Sequence, residues 1–262
     1  MGTGEVMKVA VVGTGYWGRN LVRNYDELGA LACVCDASEP VLDEFRKRYP
    51  HAACTTNYRG VLEEEGVRGV VIATPASTHF SLAREALLAG KHVFVEKPLA
   101  LDLAEALELR DIARAQGRIL MVGHLLQYHS AFVRLKQLVR SGELGRIHYI
   151  YSNRLSFGKI RREEDIMWSF APHDISMILA LANEEPETVM ATGGNYLHRK
   201  IADVTTTHMD FASGLKAHVF VSWLHPFKEQ MLVVVADRNM AVFRDTAPWE
   251  DKLLLYPHDI QW

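Results

Sequence analysis

Lys8-Val9-Ala10-Val11-Val12-Gly13-Thr14-Gly15-Tyr16-Trp17-Gly18 is the stretch that decides the fold. A short β-branched run ends on a glycine-rich turn, and an amphipathic stretch from Trp17 to Leu28 follows at once, so the segment reads as strand, tight turn and helix. In such a unit the glycines have separate duties. Gly13 turns the chain, Gly15 lets a pyrophosphate approach the backbone, and Gly18 lets the helix pack on the strand. The start of the helix offers unpaired amides and a partial positive charge to phosphates, and Tyr16 and Trp17 within the turn join the candidate cofactor-binding set. The dinucleotide reading also needs an acid at the end of the second strand, roughly 20 residues on. Leu31 to Cys35 reads as that strand, and Asp36 follows it. A carboxylate there accepts hydrogen bonds from ribose hydroxyls and repels a 2′-phosphate. Ala37, Ser38 and Glu39 supply no arginine to hold one, so NAD is expected rather than NADP.

Working outward, strand patterns recur at Val67 to Ile72, His92 to Val95 and Ile119 to Val122. They alternate with helical ones at Glu39 to Arg48, Ser77 to Ala89 and Leu103 to Gln116. Gly90 and Gly117 stop the last two helices, and Asp102 with Glu105 caps the start of the last. Strand and helix in strict rotation require parallel pairing with crossover helices, hence an α/β dinucleotide-binding domain over residues 1–122. Ligands in such sheets sit beyond the carboxyl ends of the strands. Two strand ends therefore count as potential site, Ala73-Thr74-Pro75-Ala76-Ser77-Thr78-His79 and Glu96-Lys97-Pro98. Ser77 reads as a helix cap; Thr74, Pro75 and His79 are either cofactor contacts or plain loop. A proline after Lys97 excludes the helical basin and holds the lysine extended, so its ammonium is aimed. Its position beside a dinucleotide favours a reactive role over a surface pair with Glu96.

From about Gly123 the rotation stops. A helix at Tyr128 to Arg140 is followed by strands at Ile147 to Leu155, Val189 to Tyr196, Val204 to Phe211, Leu215 to Trp223, Met231 to Ala236 and Met240 to Arg244. Leu215, Ala217, Val219, Val221 and Trp223 alternate with Lys216, His218, Phe220 and Ser222, the pattern of a strand buried on one face, and Phe211 to Leu215 reads as a hairpin turn. An α+β domain with a mostly antiparallel sheet is expected over 123–262, with one sheet face left for subunit contact or solvent. Pro172-His173-Asp174 reads as a helix start with proline at the first position, which places His173 at the positive end of the dipole with a neutral ring. The alternative is a histidine packed beside Met177 and Ala180. Asn153-Arg154, Lys159 and Arg161-Arg162 crowd donors into one stretch. Arg154, Arg161 and Arg162, with Tyr128 and Asp174, form the candidate substrate-binding set; the basic run is either a grip on a carboxylate or phosphate or a solvated surface. Tyr128, His124 and His129 either line the site or pack between domains.

Composition sets the frame. The 262 residues are 48% hydrophobic and 23% charged, as in a folded globular protein, and the net charge of −3 gives no reason to expect nucleic acid or an anionic membrane as partner. Cys33, Cys35 and Cys54 form neither a disulfide framework nor a C-x-x-C pair, and no apolar run suits a leader or a span, so reduced thiols in the cytoplasm are expected. There is no G-x-S-x-G, P-loop or H-E-x-x-H, the histidines have no ligand spacing, and no metal is expected.

Gly13 to Gly18, Asp36, Ala73-Thr74-Pro75, Glu96-Lys97-Pro98 and Pro172-His173-Asp174 together resemble the oxidoreductases grouped with glucose-fructose oxidoreductase, inositol dehydrogenase and MocA, over nearly the whole chain. The resemblance implies hydride transfer between NAD and a hydroxyl or keto carbon of a sugar. Lys97 then polarises the reacting hydroxyl, Glu96 lies beside the cofactor, the Lys97-Pro98 bond is often cis, and His173 serves as acid or base. Tyr151 to Ile178 is most similar to members acting on nucleotide-linked sugars, and the family's second domain implies a homo-oligomer through its sheet. Many relatives carry an acid or amide where Ser169 stands, so only Lys97 and His173 are carried over as catalytic. Relatives usually continue into a stretch that packs on the first domain, and Asp259 to Trp262 shows none: either the chain is shortened or that packing is absent. The rival readings are an NAD-dependent glycoside hydrolase working by transient oxidation and a non-catalytic NAD sensor.

Overall fold

A computed structural model of the chain describes residues 6–157, 160 and 164–258. Contacts divide it into two compact units, Met1–Gly123 and His124–Trp262.

In the first unit β1 (Val9–Val12), α1 (Gly18–Glu27), β2 (Leu31–Cys35) and α2 (Glu39–Arg48) alternate as the pattern requires. They are followed by β3 (Ala53–Thr55), α3 (Tyr58–Glu63), β4 (Gly69–Ile72), α4 (His79–Leu88), β5 (His92–Val95), α5 (Leu103–Ala115) and β6 (Leu120–Val122). The sheet order β3-β2-β1-β4-β5-β6, parallel throughout, is the doubly wound order. All four residues of β1 are buried because each strand face meets helices. Val9 and Val11 pack with Val22, Leu42 and Phe45 on one side. Ala10 and Val12 pack with Ala83, Leu87 and Leu109 on the other. β3 and α3 are additions to the expected set: the three residues of β3 are half exposed at the sheet edge and carry no readable alternation. Cys33 and Cys35 lie in the core, where burial pushes their thiols up to about 12 and about 11.

The second unit is a seven-stranded sheet backed by two helices. Its elements are α6 (Ser130–Arg140), β7 (Ile147–Leu155), α7 (Ile166–Ala182), β8 (Pro186–Gly194), β9 (Val204–Phe211) and β10 (Lys216–Ser222), then β11 (Glu229–Ala236), β12 (Asn239–Arg244) and β13 (Leu253–Pro257). The order is β13-β12-β11-β7-β10-β9-β8, antiparallel except for the β7–β10 pair. Gly214, at φ +87, turns the β9–β10 hairpin where the sequence places it. Ile150, Val219 and Leu232 of one sheet face meet Phe132, Leu135 and Met177 of α6 and α7. The opposite face bears no helix among the described residues. No helix among them is long and apolar enough to cross a membrane.

Two expectations fail here. Ser77 caps nothing: it lies inside a single 3-10 turn, Ala76–Thr78, and α4 begins at His79 without a side-chain cap. Pro172 does not start a helix either. Asp165 caps α7 by accepting from the Trp168 amide at 2.9 Å, and Pro172 sits inside the helix. The apolar face formed by Ile166, Ala171, Met177 and Ile178 carries the helix through the proline, whose missing N–H costs one backbone bond. His173 is thus about 10 Å of helix rise from the N-terminus, and the dipole argument for its neutral ring does not apply.

Candidate cofactor and proton-transfer site

The crevice of a doubly wound sheet opens where neighbouring crossovers run in opposite directions, here between β1 and β4. The glycine turn is built for close approach. Gly13 has φ +87, and a Cβ there would sit 2.8 Å from Thr74 Cγ2. A Cβ on Gly18 would sit 2.0 Å from the Gly13 carbonyl oxygen, whereas one on Gly15 would meet nothing within 4 Å. The chain is therefore jammed shut behind the turn and open above it, the shape that admits a pyrophosphate to the backbone. α1 begins there without a side-chain cap or an acid in its first turn, which leaves its positive end to an anion. Tyr16 is 90% exposed beside it.

Asp36 stands at the end of β2. Its Oδ2 accepts from the Thr14 amide at 2.8 Å and the Thr14 hydroxyl at 2.6 Å, and its Oδ1 from the Ser38 amide at 2.9 Å. Burial opposes the charge, yet these hydrogen bonds hold the carboxyl below its ordinary range. It stays an anion with lone pairs to spare for ribose hydroxyls, so the residues present fit an adenine dinucleotide. Thr14 joins the site through these bonds, and the sequence marks it only by a hydroxyl between two glycines.

At the next strand ends, Trp17 Nε1 donates to Glu96 Oε1 at 2.5 Å, joining the glycine turn to the loop after β5. Burial raises the Glu96 carboxyl above its ordinary range, against the Trp17 N–H, the Lys97 amide and the Lys97 ammonium. Glu96→Gln keeps an acceptor for Trp17 and removes the desolvated charge. A raised folded-state value favours folding less as pH rises through it, so E96Q is expected to melt above the parent at pH 8. The gap closes as the pH falls to where Glu96 is protonated. A variant melting below the parent at pH 8 contradicts the dominance of burial. Lys97 is half-buried and the Lys97-Pro98 bond is cis. Thr74 is half-buried, with Thr78 Oγ1 donating to its hydroxyl at 2.7 Å, and Pro75 is exposed. His79 departs from expectation. It is 1% exposed, and its Nδ1 and Nε2 lie 2.6 and 2.9 Å from the carbonyl oxygens of Pro98 and Thr74, so the ring faces loop backbone and offers no edge to a cofactor.

In the second unit the expected substrate contacts Arg154 and Asp174 are turned inward. Asp174 is fully buried and accepts from Ser152 Oγ at 2.5 Å and Arg154 Nε at 2.6 Å, while Arg154 Nη1 lies 3.6 Å from Asp245. Arg154 sits on the helix-facing side of β7 and Asp174 on the sheet-facing side of α7, so the pair pins helix to sheet. His173 follows on α7, half-buried, one turn beyond Ser169. His129 caps α6 by accepting from the Ala131 amide, and its ring meets Phe243. Tyr128 is 68% exposed in the 3-10 turn before it. Lys159, Arg161 and Arg162 lie outside the described residues.

Known proteins resemble the chain over both units. Residues 7–124 match the family described as "Oxidoreductase family, NAD-binding Rossmann fold", and residues 132–242 match the "GFO/IDH/MocA C-terminal domain". UDP-N-acetylglucosamine 3-dehydrogenase of Acidithiobacillus ferrooxidans is 31% identical over 94% of this chain and 72% of its own. The scyllo-inositol 2-dehydrogenase (NAD(+)) of Bacillus subtilis is 27% identical over 92% of this chain and 74% of its own. A solved structure of the Acidithiobacillus enzyme superposes with a TM-score of 0.85 at 28% identity, covering 96% of this chain and 80% of that one.

Proposed function

The chain belongs to the GFO/IDH/MocA oxidoreductase family, and from that membership we propose that it is an NAD-dependent dehydrogenase of a nucleotide-linked sugar. The observation that carries the reading is the open cradle over Gly15 beside an ionised Asp36, in line with Lys97 at the next strand ends. Gly13, Gly15 and Gly18 with the start of α1 hold the pyrophosphate, and Asp36, fixed by Thr14, holds the adenosine ribose. Tyr16, Trp17, Thr74, Pro75 and Glu96 line the remaining length. NAD, when bound, supplies the two-electron chemistry by accepting or giving hydride at its nicotinamide. Lys97 binds the reacting hydroxyl through its Nζ and lowers the cost of moving that proton. His173, on the second unit, is the further candidate for proton handling, one helical turn from Ser169. Arg161 and Arg162 are the remaining candidates for a substrate phosphate.

The sugar-dehydrogenase names among the relatives favour this over a transient-oxidation hydrolase or a sensor. The test is a panel of nucleotide sugars and inositols followed at the NADH absorbance. Turnover of a nucleotide sugar with stoichiometric NADH is expected. NADH production from unlinked polyols alone removes the nucleotide-sugar assignment, and free sugar released without net NADH favours the hydrolase.

The helix-free face of the second sheet supports self-association. Tyr149, Tyr151, Phe220, Met231, Val235 and Met240 share that face by register and are all partly exposed. These apolar side chains, set among Asn153, Lys216, His218 and Arg244 on the same face, suit cover by a second copy. Replacing Met231 and Val235 by Lys is expected to reduce the light-scattering mass to that of one chain, while a parent that is already monomeric contradicts the assembly.

A further inference from the structure

We propose that His79 is a positioning residue for Lys97, a buried tie between the loop after β4 and the loop after β5. The inference rests on Lys97 being the proton-handling group. His79 opens α4 at 1% exposure, with Nδ1 2.6 Å from the Pro98 carbonyl oxygen and Nε2 2.9 Å from the Thr74 carbonyl oxygen. A neutral imidazole has a single N–H, so the ring donates to one of the two carbonyls and lies edge-on against the other; being planar and rigid, it fixes how far apart they sit. One belongs to the residue directly after Lys97, and the other to a loop that is itself held in place. Thr78 Oγ1 donates to the Thr74 hydroxyl at 2.7 Å and lies 2.8 Å from the Pro75 carbonyl oxygen, and the bare Cα of Gly13 abuts Thr74 and Ala73.

A continuous chain of contacts thus runs from the glycine turn through Thr74 and the His79 ring to Pro98 and Lys97. Pro98 has no N–H of its own with which to anchor the second loop, which makes a side-chain tie to its carbonyl more consequential. Buried carbonyls stripped of partners seek new ones, and the loops would shift to find them. Displacing a reacting group by about 1 Å costs on the order of 100-fold in rate.

The experiment compares His79→Phe, which keeps a buried ring without nitrogens, with His79→Gln and His79→Asn, which restore an amide donor. In H79F the proposal expects kcat for the parent's nucleotide sugar to fall about 100-fold. NADH binding by calorimetry stays within about threefold, and Lys97 labels faster with acetic anhydride than in the parent, peptide by peptide. H79Q or H79N recovers at least about tenfold in kcat. In a Lys97→Met background H79F costs nothing further, since both act through one group. Unchanged kcat with unchanged Lys97 labelling overturns the proposal. So does a weakened NADH affinity with kcat intact, which makes His79 a cofactor contact. If H79F does not fold, His79→Leu, which also lacks a donor, is judged by the same three readouts, two of which need no substrate. Failure of the underlying reading shows separately, as a K97M enzyme that keeps the parent's kcat.

Discussion

Lys97→Met is expected to lower kcat by about 1,000-fold or more while leaving NADH affinity within about threefold. Methionine keeps the length and apolar stem of the side chain and removes only the ammonium. Lys97 is half-buried at the end of β5, between a carboxyl that burial raises and a cis proline, so the ammonium stands at a strand end where ligands of such sheets sit. Lys97→Arg separates charge from proton transfer. A guanidinium keeps the positive charge but does not give up its proton, so K97R is expected to stay within about tenfold of K97M. Stopped-flow mixing with the substrate and calorimetry with NADH check both. K97M with more than about a tenth of the parent's kcat removes lysine from the chemistry.

The glycine turn yields the second large effect as a contrast between neighbours. The Cβ of Gly18→Ala would lie 2.0 Å from the Gly13 carbonyl oxygen, a backbone atom that no rotamer change can move aside. The start of α1 must shift, at a cost of about 3 kcal/mol, or roughly 10 °C in melting temperature, with NADH affinity lost alongside. Gly15→Ala meets nothing within 4 Å, so its melting temperature is expected to stay within about 1 °C of the parent. Its methyl projects where the pyrophosphate must come, so NADH affinity is expected to fall at least about tenfold. Differential scanning calorimetry beside NADH titration reads both variants. G15A with parental affinity would place the pyrophosphate elsewhere.

Much of the first unit is legible because its signals are local. Val9 to Val12 is too short and too β-branched for anything but a buried strand, and Gly13, Gly15 and Gly18 act through their own backbone. Asp36 is legible for the same reason, since its position in a βαβ unit fixes its job. Thr14, His79 and Trp17 carry roles set by partners far along the chain, Asp36, Pro98 and Glu96, and periodicity says nothing of such pairings. The second unit shows the limit more sharply. Pro172-His173-Asp174 has the local grammar of a helix start, but Asp165 begins the helix earlier and packing on the sheet carries it through the proline. Arg154 and Asp174 look like ligand-gripping charges until the alternation of β7 and the buried face of α7 bring them together. A buried ion pair and a binding pair are identical in sequence and differ only in which way the element faces.

Titration of NADH and NADPH into the protein, followed by calorimetry, reads the coenzyme site itself. One NADH site per chain with micromolar or tighter affinity is expected, and NADPH at least about tenfold weaker because the Asp36 carboxylate repels its 2′-phosphate. No heat from either coenzyme, with the protein shown to be folded, would contradict it.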